Sequence, residues 1–139
     1  MPNANAEYYN GLGHRSKIAG QINEALNYYT QAIQLDSRTM DYYFNRATCY
    51  GMLERYDEAN KDLDVVIANS TTDAGAYNLR GYNYLRKGLY QKAVEDFTNA
   101  IKYNPDKADY YIYRAQAYTQ LSDTENAARD MEKAITVAR

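Results

Sequence analysis

Residues 74–107 read AGAYNLRGYNYLRKGLYQKAVEDFTNAIKYNPDK, and two helical faces follow one another in that stretch. Tyr77, Gly81 and Tyr84 lie at i, i+4 and i+7, and Ala93, Phe97, Ala100 and Ile101 repeat the same spacing. Recurrence of this kind marks one side of an α-helix. Gly88 sits between the two faces, where a left-handed residue closes a helix. Asn104-Pro105-Asp106 supplies the stop after the second.

The same stretch recurs outward in both directions. Ala25, Ala59, Ala93 and Ala127 are each 34 residues from the next. In that frame Tyr9, Tyr43, Tyr77 and Tyr111 form one column. Gly13, Ala47, Gly81 and Ala115 form a small one, and Ile33, Ile67, Ile101 and Ile135 an identical one. Units therefore run 6–39, 40–73, 74–107 and 108–139, after an N-terminal extension of residues 1–5. About eight helices are expected, paired as antiparallel hairpins. Small columns let the paired helices approach, and aromatic columns fill between them. Gly20 and Gly88 are expected at left-handed closing positions, and Ser122-Asp123-Thr124-Glu125 reads as a capping box with Ser122 as the cap.

Composition narrows the function classes. In 139 residues, 16 Lys and Arg stand against 18 Asp and Glu, a formal charge of -2. That balance argues against a polybasic membrane patch or a phosphate-neutralising surface. No apolar run suits a membrane span, and Met1-Pro2-Asn3-Ala4-Asn5 has neither the basic nor the apolar part of a signal peptide, so a cytoplasmic protein is expected. One cysteine, Cys49, excludes an internal disulfide, and its place in a packed helix makes it a small buried hydrophobe. His14 is the single histidine and has no partner residues at metal-ligand spacing, so it is read as a groove or surface residue. No nucleophile–base–orienter set is visible. Neither catalysis, a metal nor a cofactor is expected.

One charged pattern is structural. Arg46 and Asp62, Arg80 and Asp96, and Arg114 and Asp130 are each 16 residues apart, while the first unit holds Leu12 and Tyr28 there. Both members change together, as partners across a hairpin do, because an Arg left without its carboxylate in a packed site is costly.

A 34-residue helix–turn–helix unit with Tyr77, Gly81, Tyr84, Gly88, Ala93, Phe97, Ala100 and Pro105 resembles the tetratricopeptide repeat. The resemblance covers residues 6 to 139. It departs at Ser16, where an aromatic is expected, and at Ser37 and Thr71, where the closing Pro would stand. It implies an all-α, right-handed superhelical solenoid with the first helix of each unit lining a concave face. It also implies a non-catalytic protein–protein interaction module. Carried over by column, the face includes Asn10, His14, Phe44, Asn45, Asn78, Leu79, Tyr82, Ile112 and Tyr113. Helix packing alone does not require Phe44, Leu79, Tyr82, Ile112 and Tyr113 to be apolar, so they are expected to anchor a bound peptide, with Asn10, Asn45 and Asn78 holding its backbone. The competing reading is a general abundance of Tyr, since Tyr8, Tyr28, Tyr42, Tyr103 and Tyr110 also fall outside the main columns.

One subfamily of this fold clamps acidic chaperone tails with Lys, Asn and Arg. Its columns here hold Asn10, His14, Asn45, Gly75 and Leu79, of which Asn45 alone fits. The expected partner is therefore a protein or peptide with apolar anchors, not an acidic chaperone tail. Glu7, Asp41 and Asp109 on the same face argue against nucleic acid. The alternative is a self-associating scaffold. The last helix shows Met131 and Ile135 on an apolar strip with no polar-faced helix after it, so either the segment is cut from a longer protein or another copy covers the strip.

Overall fold

The computed structural model describes residues 3–139, which form eight helices; no strand occurs among the described residues. They are α1 Ala4–Ile18, α2 Ile22–Leu35, α3 Met40–Met52, α4 Tyr56–Asn69, α5 Ala74–Lys87, α6 Tyr90–Tyr103, α7 Ala108–Gln120 and α8 Thr124–Ala138. Consecutive pairs make four hairpins. The chain divides into two compact units, one up to Thr71 and one from Thr72 onward, each of two hairpins. In the first, α2 packs on α1 and α3; in the second, α6 packs on α5 and α7. Helix α1 starts inside the stretch expected to be an extension, capped by the Asn3 side chain, which accepts from the Asn5 and Ala6 amides. The rest of that expectation, Met1 and Pro2, lies outside the described residues.

All four hairpin turns close in one way. Gly20, Glu54, Gly88 and Ser122 have φ between 60° and 81°. The next residue in each turn donates its amide to the carbonyl five back, as Arg55 does to Tyr50 at 2.8 Å and Asp123 to Tyr118 at 2.9 Å. Only two of the four positions are glycine, so the sequence shows half of this feature. Ser122 is thus the left-handed residue and not the cap expected of it; Asp123 caps α8 through its side chain to the Asn126 amide. An L side chain in this region costs about 1–2 kcal/mol. Glu54→Gly is accordingly expected to raise stability by about 0.5–1 kcal/mol after the entropy of the freer unfolded chain is deducted. Urea unfolding measures it, and a loss would show that Glu54 holds the turn some other way.

The expected Arg–Asp pairs are all present and bidentate. Arg46 donates to Asp62 at 2.9 and 2.7 Å, Arg80 to Asp96 at 2.9 and 2.8 Å, and Arg114 to Asp130 at 2.8 and 2.7 Å. Each carboxylate is buried and each guanidinium about one-fifth exposed. The first hairpin replaces the ion pair with apolar and aromatic surface, and Tyr28 stacks on Tyr9 there.

Side-chain volume is matched across each hairpin. Gly13 lies under the Tyr29 ring so closely that a Cβ would stand 2.6 Å from Cε1, and Gly81 lies under Phe97 with 3.0 Å to its Cε1. The other two hairpins place Ala47 with Leu63 and Ala115 with Met131 in those columns. A larger residue on one helix accompanies a smaller one on the other. Tyr42 and Tyr110, read as lying outside the main columns, are buried. Tyr42 packs with Ala6 and Ala32, so its column joins one hairpin to the previous one.

Candidate functional site: the first-helix faces

In the first unit, three of the expected face residues join one hydrogen-bond chain. The Asn45 side-chain amide donates to Asn10 Oδ1 at 3.0 Å. The Asn10 amide approaches His14 Nε2 at 3.5 Å, and His14 Nδ1 lies 2.9 Å from the Tyr29 hydroxyl. With Asn10 as donor, Nε2 accepts, so the network assigns the imidazole proton to Nδ1 and directs it at Tyr29. Burial holds the His14 pKa below its usual value, with Lys17 adding to the effect and Glu7 opposing it. Burial pushes the Tyr29 hydroxyl up to about 12. Both groups therefore stay neutral at pH 7. Where the sequence places His14 in the groove or on the surface, the side chain is half-buried and bonded to the buried Tyr29. Phe44 is half-buried on α3, where its carbonyl accepts from Thr48.

That depressed pKa has a testable sign. The unfolded chain protonates His14 more readily than the folded one, so the stabilising term is present above the unfolded pKa of about 6.5 and is lost as pH falls below it. Wild type is expected to lose more thermal stability between pH 7.5 and pH 5 than His14→Gln (about these limits, bracketing the free imidazole). Equal losses would mean the ring titrates as though unfolded.

In the second unit, the expected residues build an aromatic cleft. Tyr82 on α5 meets Tyr113 on α7 edge-on, with ring centroids 5.3 Å apart, and Tyr113 stacks on Phe97 of α6 at 5.9 Å. Around these rings an open cleft of about 810 Å³ is lined by Tyr82, Leu85, Tyr90, Ile112, Tyr113 and Met131, among others. Burial raises the Tyr113 pKa, and Asp109 adds to the shift. Asn78 and Leu79 lie on α5, one turn before the cleft wall. The Asn78 Oδ1 is buried with no hydrogen-bond partner. Met131 joins the cleft while 44% exposed; Ile135, 57% exposed, does not line it. Leu85, Tyr90 and the buried rings Tyr29 and Phe97 were not foreseen as site residues. The last two belong to a core column, and only contact between columns reveals them.

Among the described residues no group of three His, Cys, Asp or Glu side chains is placed to hold a metal ion, and no helix is long and apolar enough to cross a membrane.

Comparison with known proteins sets this geometry in a family. The tetratricopeptide repeat pattern matches residues 19–74 and 78–138. The DnaJ homolog subfamily C member 3 of Gallus gallus is 30% identical over 137 residues, covering 99% of this chain and 26% of that protein. Human tetratricopeptide repeat protein 16 is 30% identical over 131 residues, covering 88% of this chain and 15% of that protein. The chain thus spans about a quarter or less of these relatives. A crystal structure of MamA superposes with a TM-score of 0.92 at 25% identity, covering 96% of this chain and 78% of that one. The first tetratricopeptide domain of Spaghetti (RPAP3), bound to the HSP90 peptide SRMEEVD, superposes at 0.82 with 20% identity, covering 85% and 94%. Eight helices in four hairpins that recur every 34 residues, matched by pattern and by solved solenoids, show that this chain belongs to the tetratricopeptide repeat family.

Proposed function

We propose that the chain is a non-catalytic protein-interaction module whose first-helix faces hold a peptide segment of a partner. The observation that carries this is the aromatic cleft of the second unit, in which Tyr82, Ile112 and Tyr113, outside the repeated core columns, line an open face. Phe44, Tyr82, Leu79, Ile112 and Tyr113 supply anchoring surface, and Asn10, Asn45 and Asn78 supply amides. Tyr gives large contact area at little entropic cost. An extended segment with apolar side chains fits better than an acidic chaperone tail of the kind bound to the RPAP3 domain, since only Asn45 of the clamp columns suits such a tail and it is already engaged with Asn10. A random peptide library displayed on phage tests this. Binders selected on the whole chain are expected to lose about tenfold or more in affinity with Tyr82→Ala and Ile112→Ala together. Binders indifferent to that double substitution, or no binders at all, would remove the peptide-binding role.

Self-association is a second reading, favoured by the exposure of Met131 and Ile135. Leu63 and Phe97, the equivalents of Met131 in the two preceding hairpins, are buried. Light scattering after size exclusion, across a dilution series, reads it. A mass that rises with concentration in wild type but not in Met131→Glu with Ile135→Lys supports association through α8. Assembly that survives both charges places the contact elsewhere.

A further inference from the structure

Tyr42 is held by the hairpin before its own. Its ring is buried with Ala6 and Ala32, Tyr9 and Ile33 pack against them, and its hydroxyl donates to a Glu7 carboxylate oxygen. The columns carry the same rule along the chain. Tyr42 stands one repeat after Ala6 and Ala32, Tyr110 one repeat after Ala74 and Ala100, and Ala76 one repeat after Met40 and Val66. A ring follows a pair of methyls, and a methyl follows bulkier side chains, as close packing requires. The fourth hairpin repeats the first kind of surface. Ala108 and Ala134 stand in the alanine columns, Tyr111 and Ile135 in those of Tyr9 and Ile33, and Asp109 in that of Glu7. Ile135 is exposed, where Ile33, Ile67 and Ile101 are half-buried. The matching ring is Tyr8 on α1. Its column mates Tyr42 and Tyr110 are buried, whereas Tyr8 is 63% exposed.

A second match lies further along the same helices. Cys49 shares a core cluster with Leu26, and Ala117 with Val94. In those columns α1 carries Arg15 and α8 carries Ala128, both exposed. Glu125 and Glu132 stand one turn to either side of Ala128, so a guanidinium laid across that methyl meets two carboxylates.

Resting on the self-association reading above, we propose that the α7–α8 hairpin of one copy receives the α1 face of a second copy, as the first hairpin receives α3. Tyr8 of the incoming copy packs on Ala108 and Ala134 and donates its hydroxyl to Asp109. Its Arg15 lies over Ala128 between Glu125 and Glu132. The contact is heterologous: the two copies use different surfaces, and each keeps one of them for a further copy.

The two surfaces can be blocked separately, which supplies the test. Tyr8→Glu changes an exposed side chain of α1, and Ile135→Lys an exposed one of α8. Unchanged far-ultraviolet circular dichroism shows that both variants keep their helices. Light scattering after size exclusion is expected to show a mass that rises with concentration in wild type, and a single chain for either variant alone. Mixed in equal amounts, the two variants are expected to form a complex of two chains, because each retains the surface that the other has lost. Arg15→Glu is expected to weaken wild-type assembly about tenfold, and an unchanged affinity overturns the Arg15 contact. A Tyr8→Glu variant that assembles as wild type does overturns the α1 contact and leaves association through α8 standing. Variants that stay single chains when mixed overturn the pairing of unlike surfaces. Wild type that remains a single chain at every concentration overturns both readings.

Discussion

Phe97→Ala is expected to remove about 3–5 kcal/mol from the stability of the second unit. Phe97 is fully buried, lies over the bare backbone of Gly81 and stacks on Tyr113. Ala93, Val94 and Ala117 complete its surroundings. Truncation therefore leaves a cavity that the packed helices close only in part, and it removes the ring that holds Tyr113 against the cleft. Urea unfolding measures the total, and hydrogen exchange localises it, with protection expected to fall on α5, α6 and α7. Replacing Phe97→Leu together with Gly81→Ala recreates the Ala47 and Leu63 combination of the second hairpin. That pair is expected to lose less than about 1.5 kcal/mol, as volume-conserving exchanges do. If the truncation alone costs less than the double exchange, volume matching is not what fixes the hairpin.

The second large effect belongs to the ion pairs. Asp62→Ala leaves Arg46 half-buried without its carboxylate and is expected to cost about 3 kcal/mol. Thr30, 3.2 Å from the Arg46 guanidinium, is a neutral partner and replaces little of the charge. Arg46→Leu with Asp62→Tyr, the Leu12 and Tyr28 combination of the first hairpin, is expected to recover more than half of that loss. A double-mutant cycle on these two positions gives the coupling directly. Additive single effects would show that the bidentate geometry contributes nothing beyond separate packing.

The fold was legible because a solenoid writes its contacts at a constant interval. Columns 34 residues apart place Met40, Ala74 and Ala108 at unit starts, and helices α3, α5 and α7 begin there. Substitution of both members in the first hairpin makes the Arg–Asp pairing readable from the sequence. Backbone conformation was less legible: glycine announces a left-handed residue at 20 and 88, whereas Glu54 and Ser122 adopt it because the turn geometry demands it. Ser122 therefore looked like a cap, although Asp123 does that work. Tyr42 and Tyr110 fall among the surplus tyrosines because their column also holds Tyr8, which is exposed, and the small Ala76, so it is neither uniformly aromatic nor uniformly buried. The Asn45–Asn10–His14–Tyr29 chain was out of reach, since it joins side chains from different columns and three helices.

The alternation of Gly13 with Tyr29, Ala47 with Leu63, and Gly81 with Phe97 bears on how such chains can be recombined. A graft that breaks within a hairpin and shifts by one repeat sets a Tyr ring against an Ala methyl, or a Leu against bare glycine. One junction clashes and the other leaves a void. Grafts that move by two repeats keep the glycine with a ring and the alanine with an aliphatic side chain, and they cost an ion pair only where the break falls between the Arg80 and Asp96 columns. The exchangeable cassette of this protein is therefore a four-helix block, and chimeras assembled from such blocks inherit both a self-satisfied face and an aromatic one.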